Sequence, residues 1–178
     1  MKSYLWEQDT YRYVLGVEGD RTLIFIGLNP STAIPKHPDM TWNILSGMCN
    51  RKGYDGLIIV NLYPNVIQDK EICVEDKECA KITNCTNKIN FAKIKKLFSE
   101  NLKNADYTIL CGWGNDIMLR KKPQLAIKRL LKAIKDVPTQ KIKCLGLTKQ
   151  GHPRSPLARM EKEDFKLFDL MNYKSVKY

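Results

Sequence analysis

Two short segments of this sequence combine residue types that bind anions and move protons. The first reads Gly-Leu-Asn-Pro-Ser-Thr-Ala over residues 27–33, and the second reads Gly-His-Pro-Arg-Ser-Pro-Leu over residues 151–157. In the first, the Asn29 amide can hold a water molecule, and Ser31 and Thr32 offer hydroxyl and backbone donors to a phosphate. The alternative is a helix N-cap that binds no ligand.

The second segment carries one of the two histidines of the chain. An imidazole stabilises an anion or transfers a proton near neutral pH, so His152 is a candidate catalytic residue, with a structural hydrogen-bonding role as the alternative. Arg154 and Ser155 are natural phosphate ligands, and Lys149 precedes them on the same loop. Leu157 is either an apolar wedge or a loop anchor that packs on the core.

Further candidates lie elsewhere in the chain. Asn61 closes an apolar run, so its amide either pairs with backbone or reads the edge of a ligand such as a nucleobase. Trp42, Tyr63 and Trp113 are candidates for stacking on a base, although each such aromatic is more often a core residue. Asp39 is the nearest carboxylate to the first segment and is a reserve candidate for a general base.

Four apolar runs predict the strands that position these residues: 22–27, 56–61, 107–112 and 141–146. The first three are nearly continuous in apolar residues, as in parallel strands buried on both faces, and the fourth alternates more, as nearer an edge. Residues 11–16 predict an additional antiparallel strand. Ligands bind beyond the carboxyl ends of parallel strands, and a candidate segment follows each run, so we expect one shared site.

Helical spacing of apolar residues alternates with these strands. It predicts helices over 87–102, over 123–134 with Pro123 in the first turn, over 40–48 with Asp39 as N-cap, and over 159–171. Residues 65–86 are expected to form a long loop or irregular insert. The fold class that follows is α/β, as a three-layer αβα sandwich with a central, mainly parallel four-stranded sheet. All 178 residues are expected to form one domain.

The charge balance favours a polyanionic partner. The net charge is +11 and the pI is near 9.4, which indicates nucleic acid first and an acidic membrane or a nucleotide as alternatives. Lysines that only keep the surface soluble are the remaining explanation. No run of about 18 apolar residues is present and the N-terminus does not resemble a signal peptide, so we expect a cytoplasmic protein without a membrane partner.

The six cysteines do not form a Cys-x-x-Cys pair. Cys111 and Cys144 lie in apolar runs and are expected in the core. Cys73, Cys79 and Cys85 follow one another at six-residue spacing, which matches no standard zinc or iron–sulfur pattern. We therefore expect free thiols, no metal and no cofactor.

Several of these segments resemble known families. Residues 28–33, 53–62, 111–114 and 146–157 resemble the bacterial and phage family catalogued as domain of unknown function 1643, and the likeness runs from about 11 to 157. More remotely, they resemble the uracil-DNA glycosylase superfamily. Gly27-Leu28-Asn29-Pro30 is similar to its first motif in the mismatch-specific branch. His152-Pro153-Arg154-Ser155-Pro156-Leu157 is similar to its last motif with one inserted arginine.

The second resemblance implies a uracil-DNA glycosylase-like fold and a role for each matching residue. Asn29 would position the water, Asn61 would read the base, His152 would stabilise the departing base anion, Ser155 would grip phosphate, and Leu157 would fill the gap left by a flipped base. Because Asn29 is not a carboxylate, it can orient water but cannot deprotonate it. Catalysis would then depend on leaving-group stabilisation and an oxocarbenium-like sugar.

The resemblance therefore implies a monomeric, monofunctional DNA glycosylase that flips a base out of double-stranded DNA and hydrolyses its N-glycosidic bond. The expected substrate is a damaged or enzymatically modified pyrimidine. The phage association of the first family suggests modified phage DNA and a role in defence. Two alternatives remain at this point: a non-catalytic nucleic-acid or nucleotide-binding module on the same fold, and an enzyme that acts on free nucleotides or nucleosides.

Overall fold

The computed structural model describes residues 2–8, 11–30, 39–66, 77–120, 122–158 and 164–173. These described residues contain seven strands and three α-helices, in chain order: β1 Lys2–Gln8, β2 Tyr11–Glu18, β3 Arg21–Gly27, α1 Met40–Lys52, β4 Gly56–Asn61, α2 Lys77–Lys96, β5 Asp106–Cys111, α3 Pro123–Ala133, β6 Ile142–Cys144 and β7 Lys166–Leu167. A π-helical turn, Leu97–Asn101, extends α2, and short 3-10 turns span Asn115–Leu119 and Thr139–Lys141.

All seven strands belong to one sheet, in the order β1-β2-β4-β3-β5-β6-β7. The four runs predicted as strands are β3, β4, β5 and β6, and they pair in parallel. The predicted antiparallel strand is β2, which pairs with β4 and with β1. β7 pairs antiparallel with β6 at the other edge. The protein is therefore α/β, with its parallel strands at the centre of the sheet.

The expectation of a mainly parallel four-stranded sheet is wrong in the number of strands and in the proportion of parallel pairings. Three of the six strand pairings are parallel and three are antiparallel. The sequence pattern missed β1 because Lys2–Gln8 mixes polar and apolar residues on an edge strand, where one side of the backbone has no partner strand. It missed β7 because two residues are too short to show a period.

The sheet has an apolar core on each face because successive strand residues point to opposite sides. On β3, Leu23 and Phe25 pack on the face that carries Leu45 and Met48 of α1. Ile24 and Ile26 point to the opposite face, which is covered by apolar side chains of α2 and α3, namely Phe91, Ile94, Ala126, Ile127 and Leu130. Helices therefore cover both faces.

Two predicted helices are confirmed, with small changes at their ends. The Asp39 carboxylate accepts a hydrogen bond of 2.8 Å from the Trp42 backbone N–H, which caps α1 as expected. Helix α1 continues four residues beyond the predicted end to Lys52, where Gly53 stops it in the left-handed region with φ 69°. Helix α3 begins at Pro123, whose missing N–H is harmless in a first turn.

Two other expectations need correction. The helix predicted over 87–102 begins at Lys77, so residues 77–86 are not part of a loop, and residues 67–76 lie outside the described part. The helix predicted over 159–171 is wrong for residues 164–171, which form β7 and irregular backbone. Phe168 and Leu170 are buried while Leu167 is 67% exposed, and this alternation fits extended chain better than helix.

Helices long and apolar enough to span a membrane are absent from the part of the chain that the structure describes.

Candidate functional site

The carboxyl ends of the four parallel strands surround a cavity of about 720 Å³. Residues 27–30 after β3, Asn61 of β4, residues 112–116 after β5, and residues 148–150 and 154–158 after β6 line it. The volume lies within the ~300–1,000 Å³ range of small-molecule sites. The four loops that the sequence singled out therefore share one cavity at the sheet edge where α/β proteins bind ligands.

The Phe25 side chain of β3 lines this cavity and packs against two glycines. It extends along β3 across two glycines, because a Cβ built at Gly27 would lie 2.9 Å from Phe25 Cε1 and one built at Gly112 would lie 2.5 Å from Phe25 Cε2. Real Cβ atoms do not approach so closely, so only glycine leaves room for the ring at both positions. Phe25 is 3% exposed and lines the cavity.

Asn61 forms part of the cavity wall beside this ring. It pairs with Gly27 across the parallel ladder, and its Oδ1 lies 2.6 Å from the position a Gly27 Cβ would take. The Asn90 amide of α2 donates 2.8 Å to the Asn61 carbonyl, which fixes the strand end. Asn61 lines the cavity, and no hydrogen bond joins its side-chain amide to another of the described residues.

The Asn29 side chain is oriented by an arginine that the sequence analysis did not identify. Arg120 Nη2 donates 3.1 Å to Asn29 Oδ1, and Asn29 Nδ2 lies 3.3 Å from the Pro30 carbonyl. The Arg120 guanidinium also lies over the Tyr63 ring, 5.2 Å from its centroid. Asn29 thus retains one Nδ2 hydrogen that can donate and one Oδ1 lone pair that can accept.

Basic and apolar side chains lie at the margin of the cavity. Lys149 and Arg154 are exposed there, and Arg154 Nε donates 3.0 Å to the Leu147 carbonyl, which holds the guanidinium at the rim. Ser155 lines the same margin and its hydroxyl accepts from the Leu157 N–H at 3.3 Å. Leu157 is 53% exposed, so it is free to contact a bound molecule.

The His152 side chain lies outside this cavity. His152 is 2% exposed, and its Nδ1 lies 2.7 Å from the Tyr173 hydroxyl, which also accepts from Trp113 Nε1 at 3.1 Å. Burial lowers the pKa of His152 and raises the pKa of Tyr173 to about 12, so the pair is neutral near pH 7. His152 lines a second cavity, of about 990 Å³, which shares Lys149 and Gln150 with the first.

Backbone hydrogen bonds explain why His152 points away. The loop is a tight hairpin, in which Thr148 N donates 2.8 Å to the His152 carbonyl and Gly151 adopts φ 83° at the turn. The Gly114 N–H donates 2.8 Å to the Pro153 carbonyl, which ties this hairpin to the loop after β5. The structure thus brings Asn29 and Asn61 together in one cavity but does not bring His152 to them.

The other residues singled out by the sequence are placed as follows. Asp39 caps α1, and Trp42 and Tyr63 pack on the two cores, so none of the three lines the cavity. Burial raises the pKa of Tyr63 to about 12. Trp113 lines the cavity but is 2% exposed and packs on Tyr173 with ring centroids 5.6 Å apart.

Some candidate residues are not among those that the structure describes. Ser31 and Thr32 lie outside the described residues, as does Cys73, and so do the side chains of Cys79 and Cys85. In the part that is described, no three His, Cys, Asp or Glu side chains form a metal-binding group. Cys111 and Cys144 are buried free thiols as expected, and burial raises the pKa of both.

The structure adds residues that the sequence analysis missed. The sequence pattern predicts Phe25 only as a strand residue and does not indicate Arg12, Asp116 or Arg120 as site residues. Arg12 is buried, lines the cavity and forms an ion pair with Glu7. The signal that could have revealed Phe25 and Asp116 was the glycines at 27, 112 and 114, since glycine at successive strand ends often marks a close approach.

Fold and cavity together define an α/β protein with a cavity at the carboxyl ends of its parallel strands. The chain belongs to the family described as protein of unknown function DUF1643, which matches residues 12–157. That span begins in β2, contains all four parallel strands, and ends at Leu157 on the cavity margin. No curated protein and no solved structure matches the chain.

Proposed function

We propose that the strand-end cavity receives one base of a DNA strand and that the protein hydrolyses the N-glycosidic bond of that base. The observation that carries this proposal is that an aromatic side chain (Phe25), a buried amide (Asn61) and exposed cations (Lys149 and Arg154) line one cavity. Enzymes that act on a base in DNA need such a pocket because the reacting bond is inaccessible inside a stacked duplex.

Recognition of the base is assigned to Phe25 and Asn61. A phenyl ring offers a stacking surface to any base, and such stacking contributes about 1–3 kcal/mol per base. The Asn61 amide presents a donor and an acceptor side by side, which suits the hydrogen-bonding edge of a pyrimidine. Because Asn61 is only 4% exposed, a base that failed to pair with it would leave a buried polar group unsatisfied.

Recognition of the DNA backbone is assigned to the rim. Lys149 and Arg154 are exposed cations beside the cavity, and the net charge of +11 attracts a polyanion. Leu157 is exposed at the same margin, where it can occupy the space that a flipped base vacates. Ser31 and Thr32 remain proposed phosphate ligands on the strength of the sequence alone.

The proposed reaction needs donors for the base anion that leaves. The uracil-DNA glycosylase likeness gives this role to His152, but the position of its side chain outside the cavity does not support that assignment. The donors that line the cavity include the Asn61 amide and Asn29 Nδ2. We therefore propose that these amides, rather than His152, stabilise the developing charge. The position of the cavity, at the carboxyl ends of parallel strands, supports the proposed likeness to the uracil-DNA glycosylase fold.

A second candidate is a base-binding module without hydrolytic activity. The specific observation in its favour is that His152 faces Tyr173 at 2.7 Å and is neutral, buried and outside the cavity. Such a module would use the same cavity residues to hold an extruded base. The two candidates differ only in whether the glycosidic bond breaks.

The test incubates the protein with labelled duplexes that each carry one uracil, 5-hydroxyuracil or 5-hydroxymethylcytosine, and scores strand breaks after alkaline treatment. Abasic sites with at least one duplex, abolished in Asn61→Ala and retained in Asn104→Ala, support a glycosylase. Asn104 is an exposed asparagine before β5, at the opposite end of the parallel strands, and serves as the matched control. Base-selective binding without abasic sites would establish the second candidate instead.

Free nucleotides are the competing class of ligand. Duplex binding that weakens steeply with salt indicates several phosphate contacts, because each contact releases counterions. Binding of a mononucleotide that equals or exceeds duplex binding and is insensitive to salt would contradict both DNA-based candidates.

A further inference from the structure

The cavity needs a proton acceptor that Asn29 cannot provide. Hydrolysis transfers a proton away from the attacking water, and a carboxylate is the usual acceptor. Asn29 is an amide, and its Oδ1 accepts from the Arg120 guanidinium at 3.1 Å. An uncharged amide binds hydrogen-bond donors and acceptors but is not a base near neutral pH, so Asn29 does not receive the proton.

Asp116 is the only Asp or Glu among the described residues that line the cavity. Two other carboxylates have partners elsewhere: Glu7 pairs with Arg12, and Asp39 accepts from the N-terminus of α1. Neither of them lines the cavity. Asp116 is exposed, so its carboxylate is hydrated and free to meet a water at the mouth of the site.

A single turn positions both Asp116 and Arg120. The 3-10 turn Asn115–Leu119 follows Gly114, whose φ of 66° redirects the chain after β5. Ile117 within the turn is fully buried and anchors it in the core, and the Arg120 N–H closes the turn by donating 3.2 Å to the Ile117 carbonyl. The turn therefore supplies a carboxylate at one end and, at the other, the cation that orients Asn29.

We propose that Asp116 is the general base of the strand-end cavity. In the step, a water oxygen bonds to C1′ of the deoxyribose while the C1′–N bond breaks and its electron pair leaves with the base. The proton of the water passes to the Asp116 carboxylate, which releases it to solvent. The departing base anion takes up one proton from solvent, so the products are the free base and an abasic sugar, as hydrolysis requires.

The alternative explanation is that Asp116 is a solvated surface carboxylate that borders the cavity but has no role in catalysis. The two explanations differ in what an isosteric change does. A surface carboxylate contributes little to turnover, whereas a general base contributes about 10²–10⁴-fold. Under both explanations, loss of the Asp116 carboxylate reduces the negative charge near the DNA phosphates. Duplex binding is therefore unchanged or tighter in the variant.

The experiment compares wild type, Asp116→Asn and Asp116→Ala in single-turnover cleavage of whichever duplex the wild type cleaves. Asp136→Asn is the matched control, since Asp136 is exposed in the turn after α3 at the opposite end of the parallel strands. The expected result is a loss of about 10²–10⁴-fold for Asp116→Asn with unweakened duplex binding. Sodium formate should restore part of the activity of Asp116→Ala, because a small carboxylate can enter the vacated space.

This inference rests on the proposed function, and the two fail in different ways. If wild type cleaves a duplex and Asp116→Asn cleaves it within a few-fold of the same rate, Asp116 is not the base and the glycosylase proposal stands. If Asp116→Asn loses activity but formate restores nothing to Asp116→Ala while duplex binding collapses, Asp116 acts in binding and the inference is overturned. If wild type releases no base from any duplex tested, both proposals fall.

Discussion

Replacing Gly112 with alanine tests whether the Phe25 ring packs against this glycine at the cavity. The new Cβ would lie 2.5 Å from Phe25 Cε2, 3.1 Å from Cζ and 3.2 Å from the Arg154 carbonyl oxygen. Carbon atoms in favourable contact are about 3.5–4.0 Å apart, so the ring must move by about 1 Å. The φ of Gly112 is not in the positive region, so alanine brings no backbone strain of its own.

The expected effect on stability follows from two opposing contributions. Overpacking by one methyl group costs about 1–3 kcal/mol. Replacing glycine by alanine where the backbone permits it returns about 0.4–1 kcal/mol through the unfolded chain. We therefore expect Gly112→Ala to lower the free energy of unfolding by about 0.5–2 kcal/mol, with weaker base-selective DNA binding because the stacking surface is displaced.

Urea unfolding followed by circular dichroism measures this change, and a double-mutant cycle assigns it. In a Phe25→Leu background the ring atoms are gone, so adding Gly112→Ala should become neutral or stabilising, with a coupling energy of about 1–3 kcal/mol. Gly47→Ala in α1 is the control: its nearest neighbour is the flexible end of Arg51 at 3.1 Å, and we expect a gain of about 0.5–1 kcal/mol. A stable Gly112→Ala variant, or strict additivity with Phe25→Leu, refutes the proposed ring position.

Three further predictions concern individual side chains. Asn61→Ala should remove base selectivity but leave general duplex affinity within a few-fold, measured by competition between modified and unmodified duplexes; equal selectivity would contradict the assignment. His152→Ala should lower stability by about 1–3 kcal/mol through loss of a buried partner for Tyr173 but retain turnover, and abolished turnover in folded protein would restore its catalytic role. Arg154→Ala should weaken duplex binding at all sequences and reduce the slope of log K against log salt by about 1, whereas an unchanged slope would exclude a phosphate contact.

The lowered pKa of His152 predicts a pH dependence of stability. Burial depresses the folded-state pKa below the unfolded value of 6.5, so the unfolded chain binds a proton first as pH falls. The stability that depends on a neutral, buried His152 is therefore fully present above pH 6.5. It is lost as pH falls through the lowered pKa of His152 in the folded protein. Urea unfolding between pH 7 and pH 5 should show this loss in wild type and less of it in His152→Phe. The same slope in both proteins would assign the effect to other groups.

Much of the central architecture was predictable because burial leaves a strong pattern. The runs at 22–27, 56–61 and 107–112 are nearly continuous in apolar residues, a pattern typical of inner parallel strands, and the run at 141–146 alternates more. The edges were less predictable. β1 is stabilised by pairing with β2, the next strand in the chain, and β7 by pairing with β6, from which residues 145–165 separate it. Neither β1 nor β7 shows a periodic pattern of its own.

The site was predictable in location but not in orientation. Strand-end placement brought the loops of Asn29 and Asn61 together, since topology alone decides where parallel strands end. The direction of the His152 side chain depends on the Thr148 hydrogen bonds and on Tyr173, which lies 21 residues further along the chain. A local motif contains no information about such a partner, so the motif overstated the case for His152.

The most direct test of the central claim is photocrosslinking of the protein to DNA that contains a single 5-iodouracil, in duplex and single-stranded form, with the attached peptide located by mass spectrometry. Halogenated bases crosslink to aromatic rings on which they stack. A base in the strand-end cavity predicts attachment to Phe25, lost in Phe25→Leu and retained in a variant changed only at an exposed aromatic elsewhere. Efficient crosslinks confined to peptides outside the cavity lining, unaffected by Phe25→Leu, would contradict the proposal that this cavity receives a base.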